Sequence, residues 1–211
     1  MSATWLYPPS AIFARSKVVP VMVIESLDQA VPLAKALVAG GIEILEVTLR
    51  TDCALDAISA IREAVPEALV GAGTVLTPEQ LDAVIEAGAQ FAISPGATKS
   101  LLEAGKRAPI ALIPGVASVS DAMKALEQGY DHLKFFPAES SGGAKALKAM
   151  AGPLAGLTFC PTGGIGPDNY QDYLALPNVA CVGGSWVAPG DAVANGEWER
   201  ITELSRKAIA G

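Results

Sequence analysis

Two ionisable side chains stand where the sequence is otherwise apolar. The run ILEVTLR begins at Ile44 and the run HLKFFPA at His132, and each places charge among β-branched and aromatic residues. Side chains alternate across a strand. In the first run Leu45, Val47 and Leu49 form one apolar set, which leaves Ile44, Glu46, Thr48 and Arg50 on the opposite face. In the second, Leu133 and Phe135 form the apolar set and leave His132, Lys134 and Phe136. With the apolar sets turned to surrounding helices, the other sets enter the lumen of a closed sheet. Burying an ammonium and a carboxylate costs several kcal/mol per ion unless they are paired or their desolvation is put to use. Parity alone leaves two readings open. Glu46 and Lys134 form a structural ion pair between strands, or their desolvated charges serve a functional site.

A second group of residues suits an anion. Thr162-Gly163-Gly164-Ile165-Gly166 and Gly183-Gly184-Ser185 follow two late apolar runs, and glycine lets backbone N–H groups approach a phosphate closely. Barrels often hold phosphate in the loops after strands seven and eight.

The elements that must position these groups recur. Apolar runs start at Val18, Ile44, Leu69, Phe91, Ile110, His132, Thr158 and Val179, advancing by 19 to 26 residues each time. That spacing leaves room for a crossover helix after each strand. Caps and stops support the helices: Ser26 precedes LDQAVPLAKALVAG, Thr77-Pro78-Glu79-Gln80 opens LDAVIEAG, Ser118 precedes VSDAMKALEQG, and Gly40, Gly88 and Gly129 end them. Eight near-equal units predict a (β/α)8 TIM barrel, an α/β fold, formed as one domain by residues 1–211. Residues 1–17, with Pro8, Pro9, Ile12 and Phe13, are expected to cap its N-terminal end. Residues 197–210 read as a terminal helix.

Composition narrows the function classes. Apolar residues make up 51% of the 211-residue chain and charged residues 18%, against a globular average near 25% charged, which fits strands buried on both faces. Fifteen basic against 22 acidic residues give a net charge of -7, the wrong sign for nucleic acid. Cys53, Cys160 and Cys181 are odd in number and outside any CxxC pattern, so neither a disulfide framework nor a zinc site is predicted, and reduced thiols fit a cytoplasmic protein. Two long uncharged stretches, 149–167 and 173–190, are interrupted by proline and glycine and do not read as membrane spans. The N-terminus shows no basic start followed by an unbroken apolar segment, so no secretory signal is expected.

Several motifs then act together: EVTLRT ending at Thr51, GAGTV from Gly71, SPG from Ser94, IPGV from Ile113, KFFPAE from Lys134 and CPTGGI from Cys160. In combination they resemble the 2-keto-3-deoxy-6-phosphogluconate (KDPG) and 4-hydroxy-2-oxoglutarate aldolase family, from about Val18 to the C-terminal helix. The resemblance implies a metal-free class I aldolase on a (β/α)8 barrel, a homotrimer, releasing pyruvate and glyceraldehyde 3-phosphate from its keto-acid substrate. For the shorter 4-hydroxy-2-oxoglutarate the products are pyruvate and glyoxylate. It further implies that Lys134 is the Schiff-base lysine and Glu46 the proton-transfer carboxylate. Arg50 and Thr74 would hold the pyruvate carboxylate, and Pro95 and Phe136 would line the pocket. Thr162, Gly163, Gly164, Gly184 and Ser185 would take the distal or phosphorylated end. His132, the only histidine, lies beside the motif and reads as structural.

The chemistry asks for these residue types. Breaking the C3–C4 bond of a 2-keto acid leaves a carbanion at C3, and an iminium at C2 accepts its electrons as an enamine. A free lysine is neutral in only about one molecule in 2,500 at pH 7, so the site has to disfavour the ammonium form. Two other classes share these residues. One is a phosphosugar epimerase or synthase in which Lys134 binds without a covalent bond; the other is a non-catalytic metabolite-binding barrel. An imine formed with pyruvate separates them from an aldolase.

Overall fold

The computed structural model describes residues 5–211. Among the described residues nine short strands run in chain order: β1 Val18–Met22, β2 Ile44–Thr48, β3 Leu69–Gly73, β4 Phe91–Ile93, β5 Ala111–Ile113, β6 Gly115–Val116, β7 His132–Phe135, β8 Thr158–Pro161 and β9 Val182–Gly184. The helices are α1 Pro9–Phe13, α2 Leu27–Ala39, α3 Ala54–Ala64, α4 Pro78–Glu86, α5 Lys99–Arg107, α6 Val119–Glu127, α7 Gly143–Met150, α8 Tyr170–Leu174, α9 Gly190–Ala194 and α10 Trp198–Ala210. Every strand pairing is parallel, as crossover helices require.

The hydrogen-bonded orders are β5-β4-β3-β2-β1-β9 and β6-β7-β8. Two bridges, Phe159 to Val179 and Thr162 to Gly183, join β8 to β9 and close one seam. The other seam lies inside the fifth apolar run, which is two strands rather than one. Pro114 lacks the N–H a ladder needs, so the run breaks there: β5 pairs with β4 and β6 with β7. The Pro114 carbonyl accepts the Lys134 N–H at 3.0 Å and carries the ring across the break. The result is a closed (β/α)8 barrel. All five residues of β1, β2 and β3 are buried on both faces, which accounts for their near-continuous apolar character.

Thr77 and Ser118 cap their helices by accepting the Gln80 and Asp121 N–H groups. Ser26 stands at the N-cap of α2 but makes no capping bond; its hydroxyl donates to the Asp28 carboxylate instead. Gly88 and Gly129 take positive φ after their helices, whereas Gly40 does not, and Gly41 (φ 94°) makes the turn. Gly40 serves packing, because a Cβ there would overlap Ser205 and the Thr202 carbonyl of α10.

In α1, Ile12 and Phe13 are buried, and the Phe13 ring meets His132 edge-on with centroids 5.3 Å apart, at the start of β7. His132 Nδ1 also contacts Asp131 at 2.7 Å. Residues 1–4 of the expected capping segment lie outside the described residues. On α6, Val119, Met123 and Leu126 are exposed on one helical face. No helix among the described residues is long and apolar enough to cross a membrane.

Candidate active site

The two charged strand residues meet inside the ring. Lys134 Nζ donates to Glu46 Oε1 at 3.2 Å, with Lys134 5% and Glu46 1% exposed. They come from β7 and β2, 88 residues apart in the chain. Glu46 is flanked in register by Val21 of β1 and Gly71 of β3, and Lys134 by Gly115 and Cys160. The Lys134 ammonium lies 5.4 Å from the centre of the Phe136 ring, a cation–π distance.

Glycine makes room for the acid. A Cβ at Gly73 would occupy the space of the Glu46 carboxylate, and one at Gly71 would overlap the Phe91 ring. The two glycines of GAGTV are therefore packing requirements. Gly73→Ala is expected to displace the carboxylate from Lys134, lowering stability by about 1–3 kcal/mol. The same variant should cut turnover by about a hundredfold through misplacement of a reacting group. Thermal unfolding and steady-state cleavage rates check the two effects separately.

Arg50 lies past the end of β2, exposed at the mouth rather than buried in the lumen. Its Nε donates to Thr74 Oγ1 at 3.3 Å. Thr74 has φ 60°, a left-handed conformation that a β-branched residue adopts only when its surroundings impose it. The turn carrying Arg50 is tied to β1: Thr48 Oγ1 donates to the Met22 carbonyl at 2.8 Å, and Thr51 Oγ1 to the Ile24 carbonyl at 2.7 Å. The guanidinium is thus held by a turn anchored at both strands.

A cavity of about 350 Å³ opens over this end of the barrel, lined by Arg50, Phe136, Thr162, Gly163, Gly164, Gly184 and Ser185 together with Val21, Val23 and Ile165. Seven sequence-predicted residues are brought to one cavity. Glu46, Thr74, Pro95 and Lys134 are not among its lining residues; Pro95 lines a neighbouring cavity of about 280 Å³ with Gly96, Gly115 and Val116. The cause is local. Ser94 Oγ donates to the Gly96 carbonyl at 2.6 Å, and the Pro95 backbone sits so close to Gly115 that no Cβ would fit. Val21 and Val23 were not anticipated, although the alternation of VVPVMVI carries the signal: Val21 shares its register with Glu46. Ile165 follows the two glycines and has no such pattern.

Gly163 (φ 103°) and Gly164 (φ 76°) both require the left-handed region open to glycine. Gly183 carries no Cβ because Thr162 Oγ1 occupies that space. Among the described residues the buried Thr162 hydroxyl has no hydrogen-bond partner. Hydrogen bonding to Cys160, burial and the nearby Glu46 charge all raise the Cys181 thiol well above its ordinary range. Cys181 therefore stays protonated and a poor nucleophile.

This geometry combines with strong sequence kinship. The family profile described as Aldolase: KDPG and KHG aldolase matches residues 10–204. The chain belongs to this family. A 2-dehydro-3-deoxy-phosphogluconate aldolase of Pseudoalteromonas atlantica is 58% identical over 211 residues, covering 100% of this chain and 98% of that one. A KHG/KDPG aldolase of Escherichia coli is 58% identical over 207 residues, 98% of this chain and 97% of its own. A crystal structure of KDPG aldolase from Legionella pneumophila, with pyruvate captured at low pH as a covalent carbinolamine intermediate, has a TM-score of 0.96 at 55% identity. It covers 97% of this chain and 100% of that one. In this member of the family a buried amine and carboxylate meet inside a barrel whose rim carries a guanidinium and two glycine loops.

Proposed function

We propose that this chain is a class I aldolase that cleaves 2-keto-3-deoxy-6-phosphogluconate to pyruvate and glyceraldehyde 3-phosphate, and 4-hydroxy-2-oxoglutarate to pyruvate and glyoxylate. The observation that carries the reading is the Lys134–Glu46 contact of 3.2 Å inside the barrel. Lys134 passes one ammonium proton to Glu46 across their contact, and the neutral amine attacks C2 of the keto acid, forming a C–N bond while the carbonyl π electrons move to oxygen, which takes the proton lost from nitrogen to become the carbinolamine hydroxyl. Glu46 supplies the proton with which that hydroxyl leaves as water, giving the iminium. Glu46 then removes the C4 hydroxyl proton. The C4 oxygen forms the aldehyde carbonyl, the C3–C4 bond breaks, and its electrons pass to the iminium as an enamine. Protonation at C3 and hydrolysis of the imine return pyruvate and Lys134.

Arg50 is assigned to the substrate carboxylate, which a planar guanidinium holds through two parallel hydrogen bonds. Thr74 steadies that guanidinium. Phe136 shapes the apolar side of the chamber, and Pro95 is assigned to the adjoining cavity. Thr162, Gly163, Gly164, Gly184 and Ser185 receive the distal end of the substrate, phosphorylated or short. The reaction draws on no metal. We assign residues 1–211 to one barrel domain, working as a cytoplasmic homotrimer; the exposed Val119, Met123 and Leu126 face of α6 supports self-association.

Borohydride reduction tests the reading. In the presence of pyruvate it is expected to add the mass of one reduced pyruvate adduct to the peptide containing Lys134, and to inactivate the enzyme in step. Labelling of another lysine, or none, removes the covalent mechanism and leaves a non-covalent barrel.

A further inference from the structure

Ile165 is the one large side chain that anchors the Thr162–Gly166 loop at the cavity rim to the core, and the two glycines before it occupy a backbone region with many alternatives. Their path has to be set from outside. The neighbouring segment after β7 supplies part of the answer: the Ala138 N–H donates to the Thr162 carbonyl at 2.8 Å, and the Glu139 N–H to the Gly163 carbonyl at 3.1 Å. Asn169 closes the far side, donating from Nδ2 to the Gly164 carbonyl at 3.0 Å and accepting the Gly166 N–H at 2.9 Å.

Between these sits a pair that the reaction does not use. The Tyr173 hydroxyl, on α8, donates to the Glu139 carboxylate in a close contact, and Tyr173 is 1% exposed. The methylene carbons of Glu139 press against Gly164, where a Cβ would overlap them. A Cβ on Gly143 would come within 3.2 Å of the Glu139 carboxylate and 3.3 Å of the Tyr173 hydroxyl, so this glycine also makes room for the pair. Burial first, then the hydrogen bond to Glu139 and its charge, push the Tyr173 phenol far above its ordinary range, which keeps it a donor at any working pH.

We propose that Glu139 and Tyr173 are positioning residues for the distal end of the substrate: their contact sets the path of Gly163 and Gly164, and with it the aim of the loop's N–H groups at a phosphate. Neither side chain is among those lining the cavity. Their effect passes through the loop. The pair therefore acts on phosphorylated ligands and leaves the chemistry at Lys134 alone. This inference rests on the aldolase reading for the identity of the ligand end.

The test uses Tyr173→Phe, which removes one oxygen, Glu139→Ala, the double variant, and Glu139→Gln, which retains an acceptor for the phenol. Glycerol 3-phosphate is the probe, followed by calorimetry, with pyruvate trapping by borohydride measured on the same proteins. Tyr173→Phe and Glu139→Ala are each expected to weaken glycerol 3-phosphate binding by at least about fivefold, the worth of one lost hydrogen bond. The double variant should be no weaker than the worse single one, as residues acting as one unit require. Glu139→Gln should recover most of the binding, and trapping should match wild type throughout. KM for the phosphorylated substrate should rise by the same factor with kcat unchanged, and cleavage of 4-hydroxy-2-oxoglutarate, which brings no phosphate to the loop, should fall by much less. Unaltered phosphate binding, or equal losses for both substrates, overturns the proposal. A wild-type protein that binds glycerol 3-phosphate but traps no pyruvate defeats the aldolase reading and leaves the brace standing.

Discussion

Lys134→Met is expected to abolish cleavage, with kcat lower by at least about ten-thousandfold, because methionine keeps the length and loses the only atom that forms the imine. Borohydride trapping of pyruvate should vanish with it. The same change has a structural cost that must be separated from the chemical one. Glu46 is 1% exposed and Lys134 is its ion-pair partner, so removing the amine strands a buried carboxylate. Breaking a buried pair from one side costs about 3–5 kcal/mol. In a chain of this size that lowers the melting temperature by roughly 10 °C. Replacing both partners, Lys134→Met with Glu46→Met, takes the stranded charge away and should restore most of the lost stability. The double variant should remain inactive. Stability that returns without activity assigns the loss in the single variant to the missing amine. A Lys134→Met protein retaining more than about a hundredth of wild-type turnover would require a different nucleophile.

The second large effect belongs to Glu46. Glutamine has nearly the same volume and still accepts the Lys134 hydrogen bond, but it neither takes nor gives a proton. Glu46→Gln is expected to lower kcat by about a hundredfold to ten-thousandfold, the usual worth of a positioned acid or base. KM should move little, since Glu46 is assigned no hydrogen bond to the substrate carboxylate. Single-turnover trapping with pyruvate should become slow without disappearing, because the amine remains. Unfolding should change less than in Lys134→Met, as the acceptor is kept. An unchanged kcat would hand proton transfer to another group, and a rise confined to KM would make Glu46 a binding residue.

Both variants concern side chains that strand alternation alone assigned to the barrel lumen. Leu45, Val47 and Leu49 mark one face of the second apolar run so clearly that Glu46 has only the other face to occupy, and Leu133 and Phe135 do the same for Lys134. Arg50 shows the limit of this reasoning. It follows the same alternation but lies past Thr48, where β2 has ended, so it sits exposed at the rim. Pro95 shows another limit: its motif was plain, yet the close approach of its backbone to Gly115 turns it toward a neighbouring cavity. The fifth run read as one strand because its residues are uniformly apolar, and the missing N–H of Pro114 divides it. Glu139 lay in plain view within KFFPAE, but its partner Tyr173 follows 34 residues later, in a helix with no distinguishing pattern.

Local covalent geometry fixed what could be read directly. Side-chain alternation, the φ tolerance of glycine and the capping of helices each act within a few residues, so the repeat, the inward-facing charges and the glycine loops were all written in the chain order. Closure of the ring decided the rest. Which inward residue meets which depends on strand stagger and on packing across the barrel, and no short window of sequence contains either quantity. Lys134 reaches Glu46, Gly73 yields space to its carboxylate, and Thr74 is held left-handed, because the closed barrel brings separate strands to one floor.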